Sequence, residues 1–119
     1  MAENVTVDPK DAQDNKIMAI LAYLGILVLV PILAAKESPF ARYHANQGLI
    51  LVIAWVAVYI VFFILAIALA FAGLGWLISL LSFAIYIVLL VLVILGIVNA
   101  AKGEAKPLPL IGTLFTIIK

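Results

Sequence analysis

Charged residues are missing from about half of this 119-residue chain: no Asp, Glu, Lys or Arg occurs from Tyr43 to Ala101. A transmembrane helix needs about 20 consecutive apolar residues, so this stretch is long enough for two such helices and a short turn. The chain is 68% hydrophobic, and a water-soluble domain of this size leaves too much of its surface in water to hide so many apolar side chains. We therefore expect lipid to surround most of the protein.

Other absences exclude several classes of function. The sequence contains no cysteine, which excludes disulfide bonds, a cysteine nucleophile and thiolate metal sites. Its single histidine, His44, does not form a metal site alone, and a net charge of +1 without a basic run offers nothing to a nucleic acid. The only nearby catalytic groups are those of Ser38 and Glu37, so we predict a protein that is not an enzyme and has no cofactor, metal or nucleic-acid partner.

Three apolar segments predict an all-α integral membrane protein with three transmembrane helices. They cover residues 17–35, 49–72 and 76–101. The second and third segments are separated only by the sequence Ala72-Gly73-Leu74-Gly75, which suits the tight turn of an antiparallel helical hairpin. Ser38 followed by Pro39 is typical of a helix N-cap with proline at the first helical position, so we expect the second helix to begin at Pro39.

The two ends of the chain differ from this single membrane domain of residues 16–119. Residues 1–15 are polar and contain Pro9, so we predict a flexible tail that buries nothing. Residues 104–119 contain Pro107 and Pro109, which prevent simple continuation of the third helix. The apolar part of this C-terminal segment is too short to span, so we predict a short interfacial tail.

The basic residues predict how the protein is oriented in the plasma membrane, because Lys and Arg in short loops mark the cytoplasmic side. If all three segments span, the loop at residues 36–42 and the C-terminus are cytoplasmic and the N-terminus is outside. The sequence also allows a second arrangement, in which the first segment enters and returns on the same side with the help of Pro31. Every Lys and Arg is then cytoplasmic.

One polar patch lies beside the apolar spans, at the start of the second predicted helix. It consists of Arg42, Tyr43, His44, Asn46 and Gln47, and the helical spacing places Tyr43, His44 and Gln47 on one face. As a functional site, this patch would bind a lipid headgroup, an extended peptide or a loop of a partner. The alternative interpretation is the solvated end of a helix, with Arg42 extended towards water and Tyr43 anchored at the interface.

A weaker polar stripe runs along the third predicted helix through Ser79, Ser82 and Tyr86. Hydroxyl and small side chains commonly stabilise helix contacts in lipid, and they also line paths for solutes. No charged residue lies in the middle of a predicted span, although proton and ion pathways usually contain one. The stripe therefore favours helix packing over the lining of a path.

Two motifs resemble a known family of membrane proteins. KESPFARYHANQGLILVI and NAAKGEAKPLPLIG are similar to segments of small prokaryotic proteins related to the twenty-kilodalton import component of the chloroplast inner envelope, a Tic-type family. The resemblance covers residues 16–119 and implies a link to protein transport without a catalytic role. The matching positions are Ser38, Pro39, Phe40, Arg42, His44, Asn46, Gln47, Gly48, Lys102, Gly103, Pro107 and Pro109.

Three functions fit these observations. The first is a non-enzymatic accessory or scaffold protein, linked to protein transport, that contacts membrane lipid and either further copies of itself or another membrane protein. The second is a channel or carrier for small solutes, which requires an oligomer because three helices do not enclose a pore. The third is a lipid-binding membrane-stress protein that uses Arg42, His44 and Gln47.

Overall fold

The computed structural model describes residues 6–114 and 116–117 of the chain. This part is all-α: it contains helices and turns but no strand. In chain order the elements are α1 (Pro9–Asp14), α2 (Lys16–Leu21), a 3-10 turn (Gly25–Val28), α3 (Leu29–Ala34), α4 (Pro39–Phe71) and α5 (Gly75–Ala101). The molecule measures 56 × 22 × 21 Å, and the two long helices set its long axis.

Helices α4 and α5 are both long and apolar enough to cross a membrane. At about 1.5 Å per residue, they extend for roughly 50 Å and 40 Å, against about 30 Å of hydrocarbon. Helix α4 begins at Pro39 as predicted, and the hydroxyl of its N-cap, Ser38, accepts a hydrogen bond from the Ala41 N–H at 3.0 Å. Gly73, with φ of 74°, lies in the turn that joins the two helices, a conformation that glycine adopts without strain.

The expectation of three transmembrane helices is not confirmed, because residues 17–35 do not form one continuous helix. The structure divides them between α2, the 3-10 turn and α3, each too short to cross a bilayer. The break occurs before Gly25, whose φ of 66° is left-handed. Pro31 lies in the first turn of α3, where its missing N–H costs no helical hydrogen bond, so this proline is not the cause of the break.

The ends of this broken segment lie together. The Asp11 carboxylate, before the segment, accepts hydrogen bonds from the Ser38 hydroxyl at 2.6 Å and from the Phe40 N–H at 3.0 Å, after the segment. Between these ends, the segment packs against both α4 and α5. The chain therefore leaves and returns at the same end of the molecule.

The segment predicted as a flexible N-terminal tail contains a docked helix. Helix α1 packs against α4, and its Ala12 is 5% exposed. Asp8 caps α1 by accepting a hydrogen bond from the Lys10 N–H at 3.0 Å. Residues 1–5, also part of the predicted tail, lie outside the described residues.

Burial divides the molecule into two regions. The head comprises residues 6–51 and 89–114 and contains all the buried residues of the described chain. The stem comprises residues 52–88, the outer parts of α4 and α5, where no described residue is buried and Tyr59, Phe63 and Phe71 are 73%, 60% and 89% exposed. A helix pair that is apolar on all sides is stable only in lipid or against other proteins.

Candidate functional site

The predicted polar patch lies inside the head and is shielded by other parts of the chain. Tyr43 is 1% exposed, while His44, Asn46 and Gln47 are completely buried. Arg42 is partly exposed and takes part in an interaction of its own. Buried polar groups are stable only when they are hydrogen-bonded, so the partners of these side chains decide what the patch does.

His44 connects three separate parts of the head. Its Nε2 lies 2.8 Å from the carbonyl oxygen of Glu104, and its Nδ1 lies 2.5 Å from the Tyr23 hydroxyl. A backbone carbonyl only accepts hydrogen bonds, so Nε2 carries the hydrogen; in the neutral ring Nδ1 then accepts from the Tyr23 hydroxyl. Edge-to-face contacts with Phe40 and Tyr43 enclose the ring. His44 thereby links α4 to the broken segment and to the C-terminal segment.

Gln47 uses both ends of its amide to hold the C-terminal segment. Its Nε2 donates to the carbonyl oxygen of Gly112, and its Oε1 accepts from the Leu108 N–H, both at 2.9 Å. A side chain built on Gly112 would overlap the Gln47 amide and the Leu108 backbone, so a residue without Cβ is needed at position 112. These contacts fix a segment that has no regular secondary structure of its own.

Asn46, next to Gln47 in α4, also binds the C-terminal segment. Its Oδ1 accepts a hydrogen bond from the Ile117 N–H at 2.6 Å. His44, Asn46 and Gln47 therefore all bind backbone atoms of residues 104–117. Because these contacts use backbone groups, they fix the path of the segment and do not select particular side chains at the bonded positions.

The Tyr43 hydroxyl differs from its neighbours, since it has no hydrogen-bond partner among the described residues although it is buried. A buried polar group without a partner costs about 1–3 kcal/mol. The head contains a second buried tyrosine, Tyr23, whose hydroxyl is paired with His44. The two tyrosines thus have similar burial and opposite hydrogen-bond status.

Several residues that form this cluster were not identified from the sequence. Tyr23, which lies in the predicted first span, contacts His44, and its ring occupies the space beside Gly96 where a Cβ would lie. A Cβ on Gly48 would overlap the carbonyl oxygen of Ala22. The glycines are the signal that was available, because glycine inside a helix often marks a close approach of another backbone or ring.

The predicted stripe on the third helix lies in the stem and does not meet the polar cluster. Ser79 is exposed and Ser82 is half-buried. The Tyr86 ring packs edge-to-face on Trp55 of α4, with centroids 5.4 Å apart. Ser82 and Tyr86, but not Ser79, line an open apolar groove of about 310 Å³ between α4 and α5. For this stripe, helix packing and the lining of a path both stay predictions.

At the surface of the head, Glu104 and Lys106 form an ion pair with a nitrogen–oxygen distance of 2.5 Å. The hydrogen bond from Lys106 lowers the pKa of the Glu104 carboxyl below its usual value. Both side chains are solvent-accessible, so the pair contributes little to stability. No group of three or more His, Asp or Glu residues within the described ranges is arranged to hold a metal ion.

Chemically, this arrangement is a packing junction between segments. Both ring nitrogens of His44 are engaged, Nδ1 by the Tyr23 hydroxyl and Nε2 by the carbonyl oxygen of Glu104. The polar cluster joins the broken segment, α4 and the C-terminal segment into one unit. Its residues act first on the position of these segments.

Comparison with known proteins identifies a different family from the one that the motifs suggested. A sequence model described as the magnetosome magnetite crystal formation protein family, MamF/MmsF, matches residues 14–115. Magnetosome protein MamF of Magnetospirillum gryphiswaldense is 34% identical over 122 residues, which cover 99% of this chain and 100% of the relative. No solved structure matches the chain.

Two further relatives are similar over most of their length. Magnetosome protein MmsF of Paramagnetospirillum magneticum is 33% identical over 96 residues, which cover 80% of this chain and 79% of the relative. The UPF0132 membrane protein MJ1443 of Methanocaldococcus jannaschii is 35% identical over 107 residues, 85% of this chain and 84% of the relative. One of these names refers to the magnetosome and the other only to a membrane.

These matches correct the assignment to a Tic-type family. That assignment depended on short motifs around residues 36–53 and 99–112, and the comparisons contain no Tic-type protein. Its implied link to protein transport is therefore withdrawn. The family match covers both motifs and the helices between them, and the chain belongs to the MamF/MmsF family of magnetosome membrane proteins, which is involved in magnetite crystal formation.

Proposed function

We propose that this chain is a non-enzymatic accessory or scaffold protein in the membrane of a compartment where magnetite crystals form. The observation that carries the proposal is the family match over residues 14–115, supported by a MamF relative aligned over its full length. The lipid-compatible stem agrees with a membrane location. The chain would act through contacts with lipid, with further copies of itself or with other membrane proteins.

The structure supports a scaffold more than a catalyst for a physical reason. The polar side chains next to the spans form hydrogen bonds with other segments of the same chain. The stem, in contrast, presents exposed apolar residues along both helices. Helices in lipid associate through packing of such surfaces and through small and hydroxyl residues. Contacts made by the stem would hold a neighbouring membrane protein in place.

The test is complementation in a magnetite-forming bacterium from which the family members have been deleted. We expect this chain to be found in the magnetosome membrane and to restore crystal size, measured by electron microscopy. A Gln47→Leu variant, with a disrupted head, should restore size less well, while Gly75→Ala, where an added Cβ meets nothing within 4 Å, should act like the unmodified chain. The proposal would be contradicted if the chain reached this membrane at normal abundance and the crystals stayed the same size as in the deletion strain.

For orientation, we propose that the loop at residues 36–42 and the C-terminal segment face the cytoplasm, as the positions of Lys36, Arg42, Lys102 and Lys106 indicate. The magnetosome membrane replaces the plasma membrane as the proposed location, because the relatives named after a cellular structure are magnetosome proteins. Fractionation of magnetosomes away from the cell membrane, followed by immunodetection, would separate the two locations.

A second candidate function is a general membrane role that is independent of mineral. It is favoured by MJ1443, whose name refers to a membrane and not to the magnetosome. A protein of this kind would bind lipid or stabilise membrane complexes in cells that form no crystals. Complementation by MJ1443 itself distinguishes the candidates: if MJ1443 restores crystal size as well as this chain does, the general role is favoured.

The channel and the lipid-binding hypotheses stay predictions with different requirements. A channel requires an oligomer in which the groove beside Ser82 and Tyr86 becomes part of a path, and a liposome flux assay tests it. Lipid binding by the polar patch requires access to His44 and Gln47, which are completely buried in the head. Partly exposed Arg42 is the remaining candidate, and loss of bound anionic lipid in Arg42→Ala, seen by native mass spectrometry, would support it.

A further inference from the structure

We infer that α1, the loop at residues 36–42 and the described part of the C-terminal segment, residues 104–114 and 116–117, all lie on one side of the membrane, and that among the described residues only the turn Ala72–Gly75 reaches the other side. This replaces the predicted N-terminus outside with a one-sided head. The assignment of segments to one side of the membrane is independent of the proposed function. Only its consequence for crystal formation rests on that function.

The first support is the contact between the two ends of the broken segment. The Asp11 carboxylate binds the Ser38 hydroxyl and the Phe40 N–H at 2.6 and 3.0 Å. A single spanning helix would separate these groups by about 30 Å of hydrocarbon. Because the groups touch, the residues between them enter and return on one side.

The second support is the shallow position of the middle of this segment. The Ala22 carbonyl oxygen lies against Gly48 of α4, which is about ten residues, or roughly 15 Å, from the start of that helix. The Tyr23 ring lies against Gly96 of α5, near the last turns of that helix. Irregular backbone at membrane depth must be covered by protein, and here α4 and α5 provide the cover.

The third support is that the C-terminal segment occupies the same end. His44 binds the Glu104 carbonyl oxygen, and Gln47 binds Leu108 and Gly112. Residues of α1, including Gln13, share a surface cavity with Lys102 and Gly103 at the end of α5. The N-terminal helix, the loop and the C-terminal segment thus form one body at the start of α4 and the end of α5.

The fourth support is the distribution of charge. The sequence has no Asp, Glu, Lys or Arg from Tyr43 to Ala101, so α4 beyond Arg42, the whole of α5 and their connecting turn carry no charged residue. Inserting a charged side chain into the bilayer centre costs several kcal/mol, and basic residues remain on the cytoplasmic side. An uncharged turn crosses readily, and the head with its Lys and Arg residues stays inside.

This arrangement has a consequence for the mineral if the proposed function holds. The side away from the cytoplasm is then the compartment interior, and it receives Ala72–Gly75, flanked by Phe71 and Trp76. These residues include no carboxylate, imidazole or thiolate, the side chains that bind iron. The chain would therefore influence a crystal through the membrane or through a neighbouring protein, and not through iron ligands of its own.

The test uses the absence of cysteine from the chain, so that a single introduced cysteine reports its own location. Gln13→Cys in α1, Thr113→Cys in the C-terminal segment and Ala72→Cys in the turn are exposed positions. With the chain expressed in the inner membrane of a bacterium that forms no magnetosomes, we expect a membrane-impermeant maleimide to label Ala72→Cys in spheroplasts, and Gln13→Cys and Thr113→Cys only in inverted vesicles. Leu65→Cys, in the middle of the stem, should be labelled in neither.

Labelling of Gln13→Cys in spheroplasts would overturn the inference, because it would require the broken segment to cross the membrane. Each variant is also labelled after detergent solubilisation, which confirms that an unlabelled cysteine was protected by location. As a functional readout, Gly73→Asn in a complemented strain should leave crystal size unchanged, since Asn tolerates the left-handed conformation of Gly73. If the labelling pattern is the expected one but complementation fails, the inferred membrane sides are retained and the proposed function is rejected.

Discussion

The head and the stem contain parts of the same two helices, yet they are stabilised in different ways. In the head, α4 is buried from Phe40 to Leu51 apart from a few positions, and its polar side chains bind backbone atoms of other segments. In the stem, the same helix presents apolar side chains to its surroundings. The head therefore depends on specific contacts within the chain, whereas the stem depends on the solvent that surrounds it.

This difference predicts unequal sensitivity to substitution. Changes in the head remove hydrogen bonds or close contacts that have no substitute, since buried groups have no access to water. Changes in the stem exchange one apolar contact for another, because lipid is as apolar as the side chains that it touches. Substitutions in the head should therefore lower the free energy of unfolding more than substitutions in the stem.

Replacing Gln47 should have the largest effect. Gln47→Leu keeps the volume but leaves the Leu108 N–H and the Gly112 carbonyl oxygen without the partners seen here. Each lost partner costs about 1–3 kcal/mol, so we expect the free energy of unfolding in mixed micelles to fall by about 2–6 kcal/mol. Proteolysis within residues 104–114 should accelerate as well. The stem control is Ser82→Ala, and an equal loss in both variants would contradict the contrast.

Adding one carbon to Gly48 tests the contact between the broken segment and α4. A Cβ at this position overlaps the Ala22 carbonyl oxygen, which is backbone and cannot rotate away. We expect Gly48→Ala to lower the free energy of unfolding by about 1–3 kcal/mol, the usual cost of overpacking. Gly75→Ala, where a Cβ meets nothing within 4 Å, is the matched control. Equal stability of the two variants would refute the close approach.

The two buried tyrosines should respond in opposite directions. Tyr23→Phe removes the hydroxyl bound to His44 Nδ1 and should lower the free energy of unfolding by about 0.5–1.5 kcal/mol. Tyr43→Phe removes a hydroxyl without a partner among the described residues and should be neutral or stabilising. Thermal unfolding of both variants in the same detergent gives the comparison. A larger loss of stability in Tyr43→Phe than in Tyr23→Phe would contradict this prediction, because it would show that the Tyr43 hydroxyl stabilises the fold.

The smallest effect is expected in the stem. Phe63 is 60% exposed, so in a bilayer Phe63→Leu exchanges one lipid-facing side chain for another and should change the free energy of unfolding by less than about 0.5 kcal/mol. The measurement belongs in lipid vesicles, where the natural surroundings of the stem are present. A loss above about 2 kcal/mol would show that Phe63 packs against protein, which would sharpen the case for a partner or a second copy on this face.

The sequence predicted the elements whose signals are local. The start of α4 was predicted because Ser38 and Pro39 have the side chains that an N-cap and a first helical position require. The turn between α4 and α5 was predicted because its glycines interrupt the apolar run. The apolar length of residues 17–35 suggested a third span, but Gly25 and the contacts of Asp11 and Tyr23 decide against one continuous helix.

For the polar patch, the sequence predicted the grouping of the residues but not their hydrogen-bond partners. Its residues stand out in the sequence because they interrupt an apolar pattern, and their grouping on α4 was predictable. Their partners were not, since Glu104, Leu108 and Gly112 follow them by about 60 residues. Hydropathy and spacing contain no information about which distant backbone atoms meet a given side chain.

The amino-acid sequence alone predicted a membrane protein, because hydrophobicity is a property of each residue and adds up along a segment. It also determined where charge is absent, and hence which parts cross the bilayer readily. The tertiary structure decided that the first apolar segment folds back, that α1 docks, and that the polar residues of α4 face inward. These outcomes depend on packing and hydrogen bonds between distant segments, which exist only once the chain has brought those segments together.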